Sequence, residues 1–305
     1  MDEPLPLILE IKGNSLDDGP GIRTVVFFKG CPLSCAWCHN PESQKAAPEL
    51  SFDAGACIGC HSCLEACPHG ALSPDHALFV DRDRCERCFK CTEVCPANAL
   101  ETVGKSMSVE AVVEQVLRDK PFFDASGGGV TLSGGEPTLA MDYLASCARS
   151  LKAEGIHVLL ETCGWFDRDA FMATVYPHLD QIYFDLKIMD SQSHKRHCGL
   201  PNARILENFT HLHRAAGDGG VPILPRTPLV PGISDTVENL NALVDFYQGL
   251  GVTQTQLIPY HPLWQEKNMK IGRQPVLEGM DQWMSREETA ACEAVFKAAG
   301  MDLVS

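Results

Sequence analysis

The chain has 305 residues, of which 45% are hydrophobic and 21% are charged. This composition is typical of a globular protein and excludes wholesale disorder, and the length suits one core domain with a small second unit. The formal net charge of −15 disfavours nucleic acids and anionic membranes as partners.

The chain contains 15 cysteines, and most of them lie between Cys31 and Cys95. The N-terminal segment is acidic and carries no secretory pattern, and no apolar run approaches the ~18 residues of a membrane span. We therefore expect a cytoplasmic protein without a membrane partner, in which the thiols stay reduced. Clustered cysteines in such a protein indicate metal sites rather than a disulfide scaffold.

Short apolar segments predict strands, and the amphipathic segments between them predict helices. The strands are predicted at 5–11, 23–29, 129–133, 157–161, 181–185, 222–225 and 254–259. The helices are predicted at 108–119, 138–153, 168–174, 204–216, 236–250 and 286–299. The elements make six β/α units with strands apolar enough for a parallel sheet covered on both faces. We predict an α/β fold, a partial (β/α)6 TIM-like barrel over residues 1–50 and 105–305, with functional groups at the carboxyl ends of its strands.

Residues 51–104 form a separate block in which one cysteine pattern occurs twice, with an offset of 28 residues. Each copy has the spacing C-x2-C-x2-C-x3-C-P of bacterial ferredoxins, in which the fourth cysteine binds the cluster of the other copy. We therefore predict a ferredoxin-like α+β insert with two [4Fe–4S] clusters. The predicted ligands are Cys57, Cys60, Cys63 and Cys95 for one cluster, and Cys85, Cys88, Cys91 and Cys67 for the other. Zinc is the alternative, although zinc sites favour two separated cysteine pairs.

Both clusters of this insert would have four protein ligands, so we expect them to transfer electrons and not to bind a substrate. One interpretation is a relay of electrons to another centre. The other is a structural role, because a block of this size has little core of its own.

A third group of cysteines, Cys31, Cys35 and Cys38, follows the predicted strand 23–29 with the spacing C-x3-C-x2-C. Three thiolates can bind three irons of a cubane cluster, and the fourth iron then has no protein ligand. An open metal position is where chemistry takes place. A zinc site with His39 as its fourth ligand is the alternative.

The residues around this loop resemble the activating enzymes of glycyl radical enzymes, in the radical S-adenosylmethionine superfamily. The similar segments are Asp18-Gly-Pro-Gly-Ile-Arg-Thr24 and Phe27-Phe-Lys-Gly-Cys-Pro-Leu-Ser-Cys35-Ala-Trp-Cys-His-Asn-Pro-Glu42. The resemblance implies that the open iron binds S-adenosylmethionine, whose reductive cleavage gives a 5′-deoxyadenosyl radical. That radical would take a hydrogen atom from the α-carbon of a glycine in the partner enzyme. The insert would relay electrons to this centre from a flavodoxin or a ferredoxin.

The resemblance also implies which residues contact S-adenosylmethionine. Gly134-Gly135-Glu136 is similar to the family's motif that binds the methionine amino group, and Asp185-Leu186-Lys187 is similar to its carboxylate-facing pair. Glu161 aligns with an aspartate that holds a monovalent cation in some members, and its side chain is one methylene longer. The further contacts are Trp37, His39, Arg226 and His261. Trp37 has a second interpretation, as an anchor of the core.

Other readings stay open at this point. A radical enzyme that acts on a small molecule or a peptide is the first alternative, and a multi-cluster electron-transfer protein is the second. A zinc-binding interaction protein is the third. The sequence does not name the partner, for which isethionate sulfite-lyase, glycerol or diol dehydratase, hydroxyproline dehydratase and choline trimethylamine-lyase are candidates. Cys147 and Cys292 are expected to be buried on helices, whereas Cys163 and Cys198 have no assigned role.

Overall fold

The computed structural model describes residues 5–274, 277 and 279–304. The strands are β1 (Leu7–Ser15), β2 (Arg23–Phe28), β3 (Glu49–Phe52), β4 (Leu100–Val103), β5 (Lys105–Ser106), β6 (Gly129–Gly134), β7 (His157–Thr162), β8 (Gln181–Asp185), β9 (Ile223–Leu229), β10 (Gln254–Pro259) and β11 (Asp302–Leu303). The helices are α1 (Ser62–Ala66), α2 (Lys90–Glu93), α3 (Val109–Leu117), α4 (Lys120–Ser126), α5 (Met141–Ala153), α6 (Arg168–Thr174), α7 (Ser191–Cys198), α8 (Ala203–Gly217), α9 (Val237–Leu250), α10 (Trp264–Lys270) and α11 (Arg286–Ala298).

Most of the strands form one nine-stranded sheet with the order β11-β10-β9-β8-β7-β6-β2-β1-β5. The strands from β2 to β11 in this order pair in parallel, and β1 and β5 add an antiparallel edge. The sheet is open, with β11 and β5 at its edges. The prediction of an α/β fold with a parallel sheet is confirmed, and the arrangement is that of a partial barrel.

The helices that cover the sheet begin where the sequence provides a capping side chain. Ser108, Asp167, Asp190, Thr236 and Ser285 each accept a hydrogen bond from a backbone N–H in the first turn of the helix that follows. Each such cap stabilises its helix by about 1 kcal/mol. Within the described residues, no helix is long and apolar enough to cross a membrane.

Several elements differ from those predicted. The helix predicted at 108–119 ends at Leu117, and α4 begins after a break, with Pro121 in its first turn. The strand predicted at 222–225 extends to Leu229 because Pro225 and Pro228 lie within β9 rather than ending it. Helices α7 and α10 were not predicted, since their sequences lack a clear apolar period.

The residues between β3 and β4 repeat their backbone conformation as well as their cysteines. Positive φ angles recur at an offset of 28 residues in the pairs Gly59 and Arg87, His61 and Phe89, and Gly70 and Asn98. The strands β3 and β4 pair antiparallel and close the block. A small core of its own includes Leu50, Leu72, Val80 and Leu100, together with the buried Cys63 and Cys91.

The segment around α10 joins this block to the cysteine loop of the barrel. Arg273 donates to the Glu49 carboxylate at 2.7 Å and to the Pro41 carbonyl at 2.8 Å. Lys270 forms an ion pair with Asp53 at 3.0 Å, and Lys267 donates to the Asn40 side chain at 2.7 Å. Charged side chains therefore link the two parts, whose buried apolar residues form separate clusters in the part of the chain that the structure describes.

Candidate active site

A cavity of 720 Å³ opens at the carboxyl ends of the parallel strands. Most of the residues that the sequence assigned to a ligand site line this cavity. They are Cys31, Cys35, Trp37, Cys38, His39, Gly134, Gly135, Glu161, Asp185, Lys187, Arg226 and His261. The fold thus brings together residues that lie far apart in the chain, as expected for this edge of a parallel sheet.

The cysteine loop after β2 is fixed from two sides by backbone hydrogen bonds. Cys31 donates to the Gln44 carbonyl at 3.0 Å, and Ser34 donates to the Cys198 carbonyl at 2.9 Å. The glycine turn after β6 lies directly against this loop, where a Cβ atom on Gly135 would stand 2.2 Å from the Gly30 carbonyl oxygen. Glycine is therefore required at Gly135 by close backbone approach.

The donor set of the loop fits an iron–sulfur cluster. Three thiols from Cys31, Cys35 and Cys38 face one cavity, and cluster iron prefers sulfur ligands. Burial and neighbouring thiols raise the pKa of Cys38 to about 12, so iron must displace its proton to bind. Among the described residues, no three His, Cys, Asp or Glu side chains are placed to bind one metal ion. A four-iron cluster needs no such group, because each thiolate binds a different iron.

Four charged side chains form a network across the cavity floor. The Arg226 guanidinium donates to the Asp185 carboxylate through Nε at 3.1 Å and through Nη2 at 3.0 Å, and Nη1 donates to Glu161. Lys187 donates to the other Asp185 oxygen at 3.1 Å, and Ser133 donates to Glu161 at 2.6 Å. Two carboxylates and two cations balance, and the network presents both signs of charge to a ligand that carries an ammonium and a carboxylate group.

The pKa values in this network reflect burial opposed by ion pairing. Burial alone lowers the pKa of Arg226, but Glu161 and Asp185 outweigh it and hold that pKa above its usual value. Burial raises the pKa of Asp185, yet Lys187 and Arg226 bring it below its usual range. Glu161, the residue that the resemblance links to a monovalent cation, is paired with Arg226, as is Asp185.

Two predicted contacts do not line the cavity. The Glu136 side chain is 1% exposed and accepts hydrogen bonds from Thr138 N at 3.2 Å, Thr138 Oγ1 at 2.7 Å, Thr162 Oγ1 at 2.9 Å and Cys163 N at 2.7 Å. Leu186 lies in the core, and its backbone N–H donates to the Arg226 carbonyl. The structure therefore places Glu136 as a brace between the ends of β6 and β7, and Leu186 as a core residue.

Two stacked histidines form one side of the cavity. The rings of His39 and His261 lie 3.9 Å apart, and the exposed Trp283 packs against His261 at 5.4 Å. Burial lowers the pKa of His39 to about 4, with help from His261, so the ring is neutral at pH 7. His39 Nε2 and His261 Nδ1 are buried, and neither has a hydrogen-bond partner among the described residues. Trp37 both lines the cavity and belongs to a small core with Tyr260, which agrees with both of its interpretations.

The eight cysteines of the repeat divide into two groups in space. Cys57, Cys60, Cys63 and Cys95 line one hollow of 330 Å³. Cys67, Cys85, Cys88 and Cys91 line another. Each group contains three cysteines of one copy and the fourth cysteine of the other copy, which is the partition that the spacing predicts.

Sequence reasoning missed several residues of the site. Asp17 and Asp18 line the cavity, as does Cys163. Cys163 follows β7 directly, and its position at the end of a parallel strand was a signal that could have marked it. Trp283 and Cys198 carried no signal of this kind, because neither lies near a motif.

Comparisons with known proteins agree with this geometry. The sequence matches the Radical SAM superfamily over residues 84–244. It also matches the 4Fe-4S dicluster domain over residues 56–99 and the 4Fe-4S single cluster domain over residues 17–66.

Curated relatives cover almost the whole chain. An isethionate sulfite-lyase activating enzyme of Desulfovibrio desulfuricans is 43% identical over 90% of this chain and 88% of its own length. A trans-4-hydroxy-L-proline dehydratase activating enzyme of Clostridioides difficile is 37% identical over 97% of this chain and 98% of its own length. Among solved structures, a radical SAM methyltransferase of Sphaerobacter thermophilus aligns with a TM-score of 0.53 at 15% identity, over 99% of this chain and 76% of that protein, and shows the fold alone.

Proposed function

The chain belongs to the radical SAM superfamily and, within it, to the activating enzymes of glycyl radical enzymes, and we propose that isethionate sulfite-lyase is its partner. The observation that carries the proposal is the set of relatives. Three isethionate sulfite-lyase activating enzymes are 43%, 40% and 38% identical to this chain, and a (2S)-3-sulfopropanediol sulfolyase activating enzyme is 38% identical. The hydroxyproline dehydratase and choline trimethylamine-lyase activating enzymes are each 37% identical, so both partners belong in the same test.

The chemistry comes from two bound groups. A [4Fe–4S] cluster and S-adenosylmethionine supply, when bound, a 5′-deoxyadenosyl radical that takes a hydrogen atom from a glycine α-carbon of the partner. In our proposal the thiolates of Cys31, Cys35 and Cys38 hold three irons of this cluster, and the Gly134–Gly135 turn lets the ligand's amino group approach the backbone.

The charged network orients the ligand's amino-acid end. We assign Lys187 to the ligand carboxylate, because its side chain is 10% exposed and its ammonium pairs with one carboxylate among the described residues, that of Asp185. Arg226 keeps Asp185 and Glu161 in place from the other side. The neutral His261 and Trp37 flank the nucleoside, where their apolar ring faces exclude water from the reacting bond.

The repeat holds two further [4Fe–4S] clusters in this proposal, which makes three in all. Both groups of four cysteines are complete, and therefore neither cluster has an open position for a substrate. Cys57 and Cys60 are exposed, so an external flavodoxin or ferredoxin can approach the cluster that they hold. Electrons would then pass from the repeat to the cluster in the barrel.

The test is anaerobic. The reconstituted and reduced protein is mixed with S-adenosylmethionine and, in parallel, with isethionate sulfite-lyase, hydroxyproline dehydratase and choline trimethylamine-lyase. We expect 5′-deoxyadenosine in each mixture and a glycyl radical signal in electron paramagnetic resonance with isethionate sulfite-lyase. Cys35→Ala is the loss-of-function control, and Cys292→Ala is the matched control for a buried cysteine away from the site.

The outcomes separate the alternatives. If the glycyl radical appears in one of the other two enzymes instead, that enzyme replaces isethionate sulfite-lyase as the partner, and the assignment as an activating enzyme stands. Bound iron without any 5′-deoxyadenosine would favour a multi-cluster electron-transfer protein.

A further inference from the structure

Two buried thiols outside the predicted ligand set lie against the cysteine loop. Cys163 follows β7 and is 7% exposed, and Cys198 ends α7 and is fully buried. Cys163 lines the same cavity as Cys31, and Cys35 packs against the small buried cluster that contains Cys198. The two thiols therefore approach two of the three predicted cluster ligands from different parts of the fold.

Backbone hydrogen bonds hold Cys198 in this place. Its carbonyl accepts from Ser34 at 2.9 Å, and the His197 carbonyl accepts from Ala36 at 2.9 Å, so the end of α7 is paired with the loop on both sides of Cys35. The helix ends at Gly199 with a φ of 89°, where a Cβ atom would stand 2.4 Å from Ser34 Oγ. This tight fit keeps Cys198 in the small buried cluster against which Cys35 packs.

Cys163 is held from the opposite side. Its backbone N–H donates to Glu136 at 2.7 Å, and the neighbouring Thr162 hydroxyl donates to the same carboxylate at 2.9 Å. Cys163 also lines the cavity beside Cys31. The brace at Glu136 thus fixes the position of a thiol and not only the ends of two strands.

We propose that the S–H groups of Cys163 and Cys198 donate hydrogen bonds to the thiolates of Cys31 and Cys35 and raise the reduction potential of the cluster they hold. The inference rests on the proposed function, because it takes Cys31 and Cys35 as cluster ligands. Reduction adds negative charge to the sulfurs, and a donor stabilises the reduced state more than the oxidised state. Hydrogen bonds to ligating sulfur are an established means of setting a cluster's potential.

The same thiols are poorly placed to ligate iron themselves. Each one lies beside a cysteine that binds an iron in the proposed function, and a ligating thiolate has no proton to donate. The Lys187 ammonium acts on Cys35, Cys163 and Cys198 together and favours the reduced state in the same direction. The carboxylates of Asp185 and Glu136 have the opposite effect and disfavour the reduced state.

The test measures the potential of the barrel cluster in the full-length reconstituted protein. The variants are Cys163→Ala, Cys198→Ala, the double alanine variant, and the serine variants Cys163→Ser and Cys198→Ser. Cys292→Ala is the matched control, because it removes a buried thiol from α11. Redox titrations are followed by electron paramagnetic resonance, and the signal that changes on addition of S-adenosylmethionine identifies the barrel cluster among the others.

At a fixed applied potential, we expect each alanine variant to lower the ratio of reduced to oxidised cluster about tenfold. For a one-electron couple this is a shift of the midpoint potential by 59 mV to more negative values. The double variant shifts further, while the serine variants keep an O–H donor and stay near the parent protein. Unchanged midpoints in both alanine variants, or loss of bound iron in either, would overturn the inference. A parent protein with no S-adenosylmethionine-sensitive signal would instead overturn the proposed function.

If an alanine variant fails to fold, the serine variant still decides the matter. Its hydroxyl oxygen is smaller than sulfur and keeps the donor, so donation is supported when the folded serine variant has the potential of Cys292→Ala while the alanine variant at the other position is shifted. If the midpoint potential of the serine variant shifts as far as that of the alanine variant at the other position, hydrogen-bond donation is contradicted.

Discussion

Replacing Glu136 by glutamine separates a structural brace from a ligand contact. The carboxylate has four donors around it, and three of them share Oε1. A glutamine carbonyl can keep these three, but its amide group then faces the Cys163 N–H, so one charge-assisted hydrogen bond is lost and a buried donor is left unsatisfied. Such a loss costs about 2 kcal/mol, which lowers the melting temperature by roughly 3 °C at an unfolding entropy of about 2.1 cal/mol/K per residue.

The measurement is thermal unfolding of the reconstituted protein, followed anaerobically by circular dichroism, together with the Kd for S-adenosylmethionine. Glu154→Gln is the control, because Glu154 is exposed at the end of α5. We expect the Glu136 variant to melt earlier and to bind the ligand within about threefold of the parent protein. An unchanged melting temperature with a tenfold weaker Kd would refute the reasoning and make Glu136 a ligand contact.

Four further predictions follow from single contacts. Because Arg226 already pairs with Asp185, we expect the Kd for S-adenosylmethionine to be independent of K⁺, and Arg226→Gln to make it K⁺-dependent in the same titration. Cys57→Ala should remove about four irons per chain and slow reduction by flavodoxin, while excess dithionite still supports cleavage of S-adenosylmethionine. An equal loss of this cleavage with both reductants would contradict a relay. Ser285→Ala breaks a capping box and should lower the unfolding free energy by about 1 kcal/mol, measured by urea titration against Ser191→Ala, which changes an exposed serine. Burial and then Arg23 lower the pKa of His157, so stability should fall as pH drops below about 6.5, and His157→Gln should flatten that slope.

The sequence predicted the parallel strands well because each combines an apolar run with a clear end. Strands at 181–185 and 254–259 were predicted with the bounds that the structure shows. The grouping of Cys31, Cys35 and Cys38 at one cavity was predictable for a related reason, since the three lie on one short loop and their spacing limits their separation. Local patterns of this kind need no knowledge of the tertiary fold.

Motif membership was a poorer guide to which side chains face the cavity. Alternate residues of a strand point to opposite faces, so Asp185 and Lys187 share one face and Leu186 faces the core between them. Glu136 completes a glycine–glycine–glutamate motif, yet its carboxylate turns to four donors that come from the next turn and the next strand. The partners that hold it become visible only once β6 and β7 are paired.

The end of α7 shows why part of the site could not be predicted. The sequence Ser-Gln-Ser-His-Lys-Arg-His-Cys has two buried residues, His194 and Cys198, and no apolar period that would mark a helix. An aspartate at Asp190 caps the helix, but a capping signal without an apolar face does not say where the helix docks. The docking is set by backbone hydrogen bonds between residues 34–36 and 197–198, which lie far apart in the chain. The spacing of the cysteines was therefore enough to identify the loop that carries the predicted cluster ligands. The position of that loop is held by α7, whose sequence gives no sign of this contact.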